Sequence, residues 1–185
     1  MGYDIFERKV PCLCGNGKLI GQWQEHDTWV SSNRHVQWRF GCPACTAEYV
    51  FFSPTLQTYI VRKSDAEKYQ AMSAEYDTAR RRVLEVASPR YEQKWVEHVV
   101  SLPTKKAMCD AIGDCSYSTF LKRTHTQQLL EDQARSTFKF RLERCLDRLK
   151  IEDAEVTELT AAARDAQSAA DAFWKNTDKK PVPFE

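Results

Sequence analysis

Four cysteines offer the first chemistry in this chain. Cys12 and Cys14 lie two positions apart in "PCLCGNGK", and Cys42 and Cys45 form a C-x-x-C in "GCPACTAEY". Thiolates are soft ligands, and two close pairs brought together by a hairpin supply the four donors of a tetrahedral zinc site. Gly15, Gly17 and Gly41 stand where each cysteine loop must turn tightly for backbone amides to point at sulfur. Such a closed site leaves no open coordination position, so one Zn2+ held there would be structural, not catalytic. Four buried free thiols are the alternative. His26 and His35 are candidate replacement ligands, but neither stands at the spacing of a cysteine loop. Cys109, Cys115 and Cys145 could form a second metal site with His125, although their helical surroundings favour buried thiols.

Over about residues 10 to 52 this arrangement resembles the zinc-ribbon superfamily, in which two cysteine knuckles on hairpin tips clamp one structural zinc. The second knuckle matches that pattern, whereas Cys12-Leu13-Cys14 is one residue shorter than the usual C-x-x-C. The resemblance implies a small antiparallel β domain with the metal at its tip.

Catalytic patterns are missing. The sequence has no G-x-S-x-G, no phosphate-cradling Walker run and no H-E-x-x-H, and its four histidines are scattered at 26, 35, 98 and 125. We therefore expect a non-enzymatic protein. At 185 residues and 42% hydrophobic, the chain can bury one modest core or two small ones. No window approaches 18 consecutive apolar residues, and Phe6 stands where a myristoylation signal needs Ser or Thr. Seven cysteines with no export signal suit a reducing compartment better than a disulfide framework. A cytoplasmic protein with no membrane segment is the expectation.

The elements that must position the cysteines read as strands. "HVQWRF" alternates, with Val36, Trp38 and Phe40 on one face and His35, Gln37 and Arg39 on the other. "KLIGQW", "AEYVFF" and "LQTYIVR" are further strand candidates, giving an antiparallel sheet of three to five strands within a domain spanning 1–62. Trp23, Trp29 and Trp38 could stack on bases, with Arg34, Arg39 and Arg62 on phosphates. A ribbon this small also needs its aromatics as core.

From Ser64 the period changes to that of a helix, and residues 63–175 read as a helical domain. Tyr69, Met72, Tyr76, Ala79, Val83 and Val86 recur at steps of three and four. Ser88-Pro89 should stop this helix and start another containing Trp95, Val96, Val99 and Val100. Residues 127–175 contain neither Gly nor Pro and read as one long helix, with Phe138, Leu142, Cys145, Leu149, Val156, Leu159 and Phe173 on a coiled-coil-like seam. If continuous, it would reach about 73 Å at about 1.5 Å per residue. It must therefore pair with helix 64–87 or with a second copy in a homodimer, or fold back near 150–153. Residues 176–185, ending "KKPVPFE", read as a flexible tail that could serve as a docking motif.

The segment 103–126 resembles a helix-turn-helix. Ala107, Met108 and Ile112 should face inward from a first helix, Gly113 turns, Ser116 caps a second helix, and Phe120 and Leu121 face inward from that one. The resemblance implies that Tyr117, Ser118, Thr119, Lys122 and Arg123 face a DNA major groove. A plain helical corner with a solvated polar face is the alternative. Residues 116–150 carry eight Lys or Arg against four Asp or Glu, while residues 151–175 carry two against six. The basic stretch suits phosphate binding, or the two stretches neutralise one another.

The sequence thus predicts an α+β protein with a zinc ribbon followed by helices. Two functions stand open. One is a zinc-binding DNA-binding regulator of transcription or another DNA transaction. The other is an interaction module or inhibitor that docks on a larger nucleic-acid machine.

Overall fold

Antiparallel strands β1 (Asp4–Pro11) and β2 (Lys18–Glu25) form a hairpin in the register Pro11↔Lys18 to Asp4↔Glu25, and β3 (Gln37–Phe40) pairs with the far side of β2. Its period-two pattern separates two faces. Val10, Leu19, Trp38 and Phe40 pack into one core, while Glu7, Lys9, Gln22 and Arg39 meet on the other face. There Lys9 and Gln22 bond the Glu7 carboxylate and hold its pKa below the usual range. The computed structural model describes residues 4–25, 37–54, 57–113 and 116–182. His26, Trp29, Arg34, His35 and Cys115 lie outside the described residues.

The chain divides into two units, Met1–Ala71 with Ala172–Glu185, and Met72–Asp171. In the first unit, β3 leads into a short helix α1 (Pro43–Glu48), and then β4 (Tyr49–Phe52), β5 (Tyr59–Arg62) and β6 (Lys180–Pro181) form a second antiparallel sheet. Among the described residues, two three-stranded sheets thus stand where one was expected. Ala47 and Glu48, read as strand, close α1 instead. The tail reading of 176–185 is corrected over its described residues, 176–182. Lys180 and Pro181 pair with β5, Val182 N–H donates to the Thr58 carbonyl at 3.1 Å, and Val182 is only 2% exposed within the ribbon core.

Helices α2 (Lys63–Ala87) and α8 (Ala154–Asn176) each run across the division of the units. Within the first unit, Trp174 near the end of α8 meets Phe52, Tyr59 and Tyr69 edge-on or tilted at 5.2–5.7 Å.

The second unit is helical. Pro89 does not end the first helix as expected, because Ser88–Glu92 widens into a π-type turn and the chain stays helical into α3 (Gln93–Ser101). A wide turn absorbs the N–H that proline lacks and the room that its ring takes. Then come α4 (Lys105–Ile112), α5 (Tyr117–Arg123), α6 (Gln127–Phe140) and α7 (Leu142–Leu149).

The single helix expected over 127–175 is three. Arg141 leaves helical geometry at φ −131°, ψ 41°, and Arg80 takes up the Lys139 carbonyl at 3.1 Å. Lys150 sits in the left-handed region at φ 52°, where Ile151 N–H bonds back to the Leu146 carbonyl at 3.1 Å and closes α7. Asp153 then starts α8. The seam is used within the chain: Phe138, Cys145, Val156 and Ala163 are buried in one core with Trp95, Phe120 and Ile112, and Leu142, Leu149 and Leu159 pack on it. Trp95 donates to the Ala134 carbonyl at 3.1 Å, joining α3 to α6.

Candidate metal centre

The first cysteine loop is the turn of the β1–β2 hairpin. Cys12 N–H donates to the Gly17 carbonyl at 2.9 Å and Gly15 N–H to the Cys12 carbonyl at 3.0 Å, which folds residues 12–17 into a knuckle. Gly15 adopts φ +73°, a conformation that suits glycine. The second pair takes a different form. Cys42 is the N-cap of α1, Pro43 occupies the first turn, and Thr46 returns both its N–H, at 3.0 Å, and its hydroxyl, at 2.9 Å, to the Cys42 carbonyl. One helical turn then carries Cys45 to the same side as Cys42.

The two loops meet closely. A Cβ at Gly17 would stand 2.6 Å from the Cys42 Cβ, so only glycine leaves room for the second ligand pair. Gly41 N–H donates to the Lys18 carbonyl at 2.8 Å and fixes the approach.

The sulfurs of Cys12, Cys14, Cys42 and Cys45 all lie within 4.8 Å of one another, with Cys14 and Cys42 at 3.5 Å. A tetrahedral zinc with bonds of about 2.3 Å places its sulfurs about 3.8 Å apart, so the donor set fits such an ion. Among the described residues, no other group of three or more His, Cys, Asp or Glu could hold a metal. Three of the cysteines are buried and Cys14 is exposed. Hydrogen bonding with the Cys12 thiol, then burial, pushes the Cys45 thiol up to about 12, so this sulfur stays protonated until a cation compensates its charge.

Two of the three remaining cysteines read as buried thiols are so placed: Cys109 and Cys145 are buried, and burial pushes Cys145 up to about 12 against the opposing Arg144 and Arg148. Trp23 and Trp38 serve the sheet. Trp23 stacks on Phe6 at 5.8 Å, and Trp38 covers Gly21 so closely that a Cβ there would meet its ring at 2.9 Å.

The residues singled out for DNA binding are gathered on α5. Ser116 caps it, accepting from Thr119 N–H at 3.4 Å, and Gly113 ends α4 at φ +64°. Phe120 is fully buried as expected, but Leu121 is 39% exposed and does not face the core. Seven residues make only two turns, and the buried stripe of so short a helix is one residue wide. Tyr117, Ser118, Lys122 and Arg123 are exposed, and Thr119 is half-buried with its hydroxyl 3.0 Å from Ser116 Oγ. No described helix is long and apolar enough to cross a membrane. Comparison with protein-family models, with curated proteins and with solved structures finds no match to this chain.

Proposed function

We propose that this chain is a non-enzymatic zinc protein whose four-thiolate site stabilises a ribbon, and that it binds duplex DNA through α5 as a regulator of transcription or another DNA transaction. The observation that carries the DNA reading is the anchoring of α5 by buried Phe120 while Tyr117, Ser118, Lys122 and Arg123 stand in solvent. Hydroxyl, phenol, ammonium and guanidinium groups side by side can bond phosphates and base edges. A site closed by four sulfurs offers no position for substrate, which supports a structural role for the metal. Four reduced thiols suit the cytoplasm.

The test is a DNA titration of zinc-loaded protein at several salt concentrations. Replacing Lys122 and Arg123 together with Ala should weaken binding by about 1–3 kcal/mol for each base no longer read, and should reduce the salt slope by about one unit for each phosphate no longer neutralised. A second reading has its own observation: Tyr117 and Leu121 lie one turn apart and are 47% and 39% exposed, an apolar pair suited to docking on a protein assembly. Wild-type protein that binds no duplex at about 50 mM salt, where phosphate attraction is strong, removes the DNA reading and leaves the docking one.

A further inference from the structure

A cavity of about 310 Å³ opens in the second unit, bounded by α2, the α6–α7 junction and α8. Five basic residues line it, Arg80, Lys139, Arg141, Arg144 and Arg164, against one acidic residue, Glu143, although the Arg144 guanidinium itself donates to the Asp110 carbonyl on α4 at 3.0 Å. Arg164 already bonds the Glu143 carboxylate at 2.5 Å, so the local field is positive. Val83, Leu142 and Ala163 provide apolar surface within the same cavity. Its volume lies at the lower end of the range of small-ligand sites, which suits a unit the size of one nucleotide.

Phe140 lines this cavity and is 74% exposed, far more than any other large apolar side chain among the described residues. The core does not need it, since Phe138 two positions earlier is fully buried. A cation nevertheless lies beside it. The Arg80 guanidinium lies 5.9 Å from the ring centroid, and the same guanidinium donates to the Lys139 carbonyl at 3.1 Å. The helix break at Arg141 follows directly, so the ring stands at a corner of the helical unit.

An open aromatic ring beside several guanidinium and ammonium groups is the arrangement that grips an unpaired base and its phosphate. Duplex DNA does not offer such a base, because its bases are stacked on one another; a single strand does. We propose that this cavity is a subsite for one nucleotide of a single-stranded nucleic acid, with Phe140 stacking on the base and Lys139 and Arg141 meeting the backbone phosphates. The subsite involves none of the α5 residues assigned to duplex binding and stands or falls apart from them.

The experiment uses the full zinc-loaded chain and a fluorescent ten-residue oligothymidylate, followed by anisotropy at several salt concentrations. Wild-type protein should bind it, and Phe140→Ala should weaken binding about 5- to 100-fold. Phe140→Trp should retain affinity, and its added indole fluorescence should be quenched on titration. Lys139→Glu should weaken binding and shrink the salt slope by about 0.7 units for each phosphate no longer neutralised. Because Phe140 and Lys139 are exposed, these variants should keep the wild-type circular dichroism. Adenosine monophosphate bound more tightly than the oligothymidylate, with the same dependence on Phe140, would assign a free nucleotide as the ligand and overturn the single-strand reading. No oligonucleotide binding at low salt, equal binding by wild type and Phe140→Ala, or binding of inorganic phosphate alone would each overturn the proposal. Replacement of Lys122 and Arg123 with Ala should leave single-strand affinity unchanged while lowering duplex affinity, so the two sites fail separately.

Discussion

At the scale of single residues, Gly17 carries the strictest requirement at the metal centre. A methyl there would lie 2.6 Å from the Cys42 Cβ, closer than Cβ atoms approach in real proteins, and the atom in the way belongs to a candidate ligand that is the N-cap of α1. Gly15 is constrained differently: nothing lies within 4 Å of a Cβ placed there, and only its φ of +73° resists substitution, at about 1–2 kcal/mol for an ordinary residue. Gly17→Ala should therefore lower zinc affinity about 10- to 100-fold, as removal of a group that orients a ligand does. Competition with a chromophoric chelator measures this, and wild-type affinity in the variant would show that the knuckles can shift apart freely. The four-cysteine cluster was legible in the sequence because paired cysteine spacing encodes it directly. The cations around Phe140 were not, since Arg80, Lys139 and Arg164 belong to separate helices and converge only when those helices pack. Leu121 shows the limit of local periodicity: its position in the pattern says inward, but α5 is too short to bury a second position.

At the scale of elements, helix ends decide where the C-terminal chain turns, and Asp153 is the most heavily used of them. One carboxylate oxygen accepts from Val156 N–H at 3.2 Å, while the other accepts from the Tyr91 hydroxyl at 2.5 Å and from Arg90 at 3.0 Å. Tyr91 first, then the Val156 amide and Arg90, hold this carboxyl at about 2, below the ordinary aspartate value of about 3.9. A depressed folded value means that the ionised group stabilises the fold fully above about pH 4, and that this contribution is lost as pH falls towards 2. Asp153→Asn keeps a good cap but loses the charge facing Arg90. Its melting temperature should lie below wild type at pH 5 to 7, and the two should converge near pH 2; a gap independent of pH would mean that the charge is idle. The caps at Ser116 and Gly113 were legible because their signals are local. The break at Lys150 lies where a fold-back near 150–153 was one alternative, and its N–H groups close α7 locally. The break at Arg141, by contrast, carries no Gly or Pro, and the Lys139 carbonyl beside it finds its partner in Arg80, far away in the chain. No single-sequence period records such long-range compensation.

For the whole molecule, the two units differ in what holds them together. The second buries Trp95, Phe120, Phe138, Ile112, Val99 and Val156 in one core, which is ordinary hydrophobic stabilisation. In the first, the buried cluster is Cys12, Leu19, Cys42, Cys45, Ile60 and Val182, so half of it consists of candidate metal ligands. So small a core needs a staple, and a zinc ion held by the four cysteines would supply folding free energy on the order of 10 kcal/mol. Metal removal should therefore unfold the first unit and spare the second. With a chelator in excess, far-ultraviolet circular dichroism should keep most of its helical signal. The near-ultraviolet signal of Trp23, Trp38 and Trp174 should collapse, while that of buried Trp95 persists. The C-terminal strand belongs to the same balance, because Val182 fills the ribbon core and β6 extends the β4–β5 sheet from the opposite end of the chain. A chain ending at Asp178 loses both, at about 1.5–3 kcal/mol for the buried valine alone. It should release zinc to the chelator about tenfold or more sooner than the full chain, with its helical content otherwise unchanged. Equal zinc retention by the two chains would show that the ribbon closes without its last strand, and simultaneous loss of helix and ribbon on chelation would show that the metal holds both units.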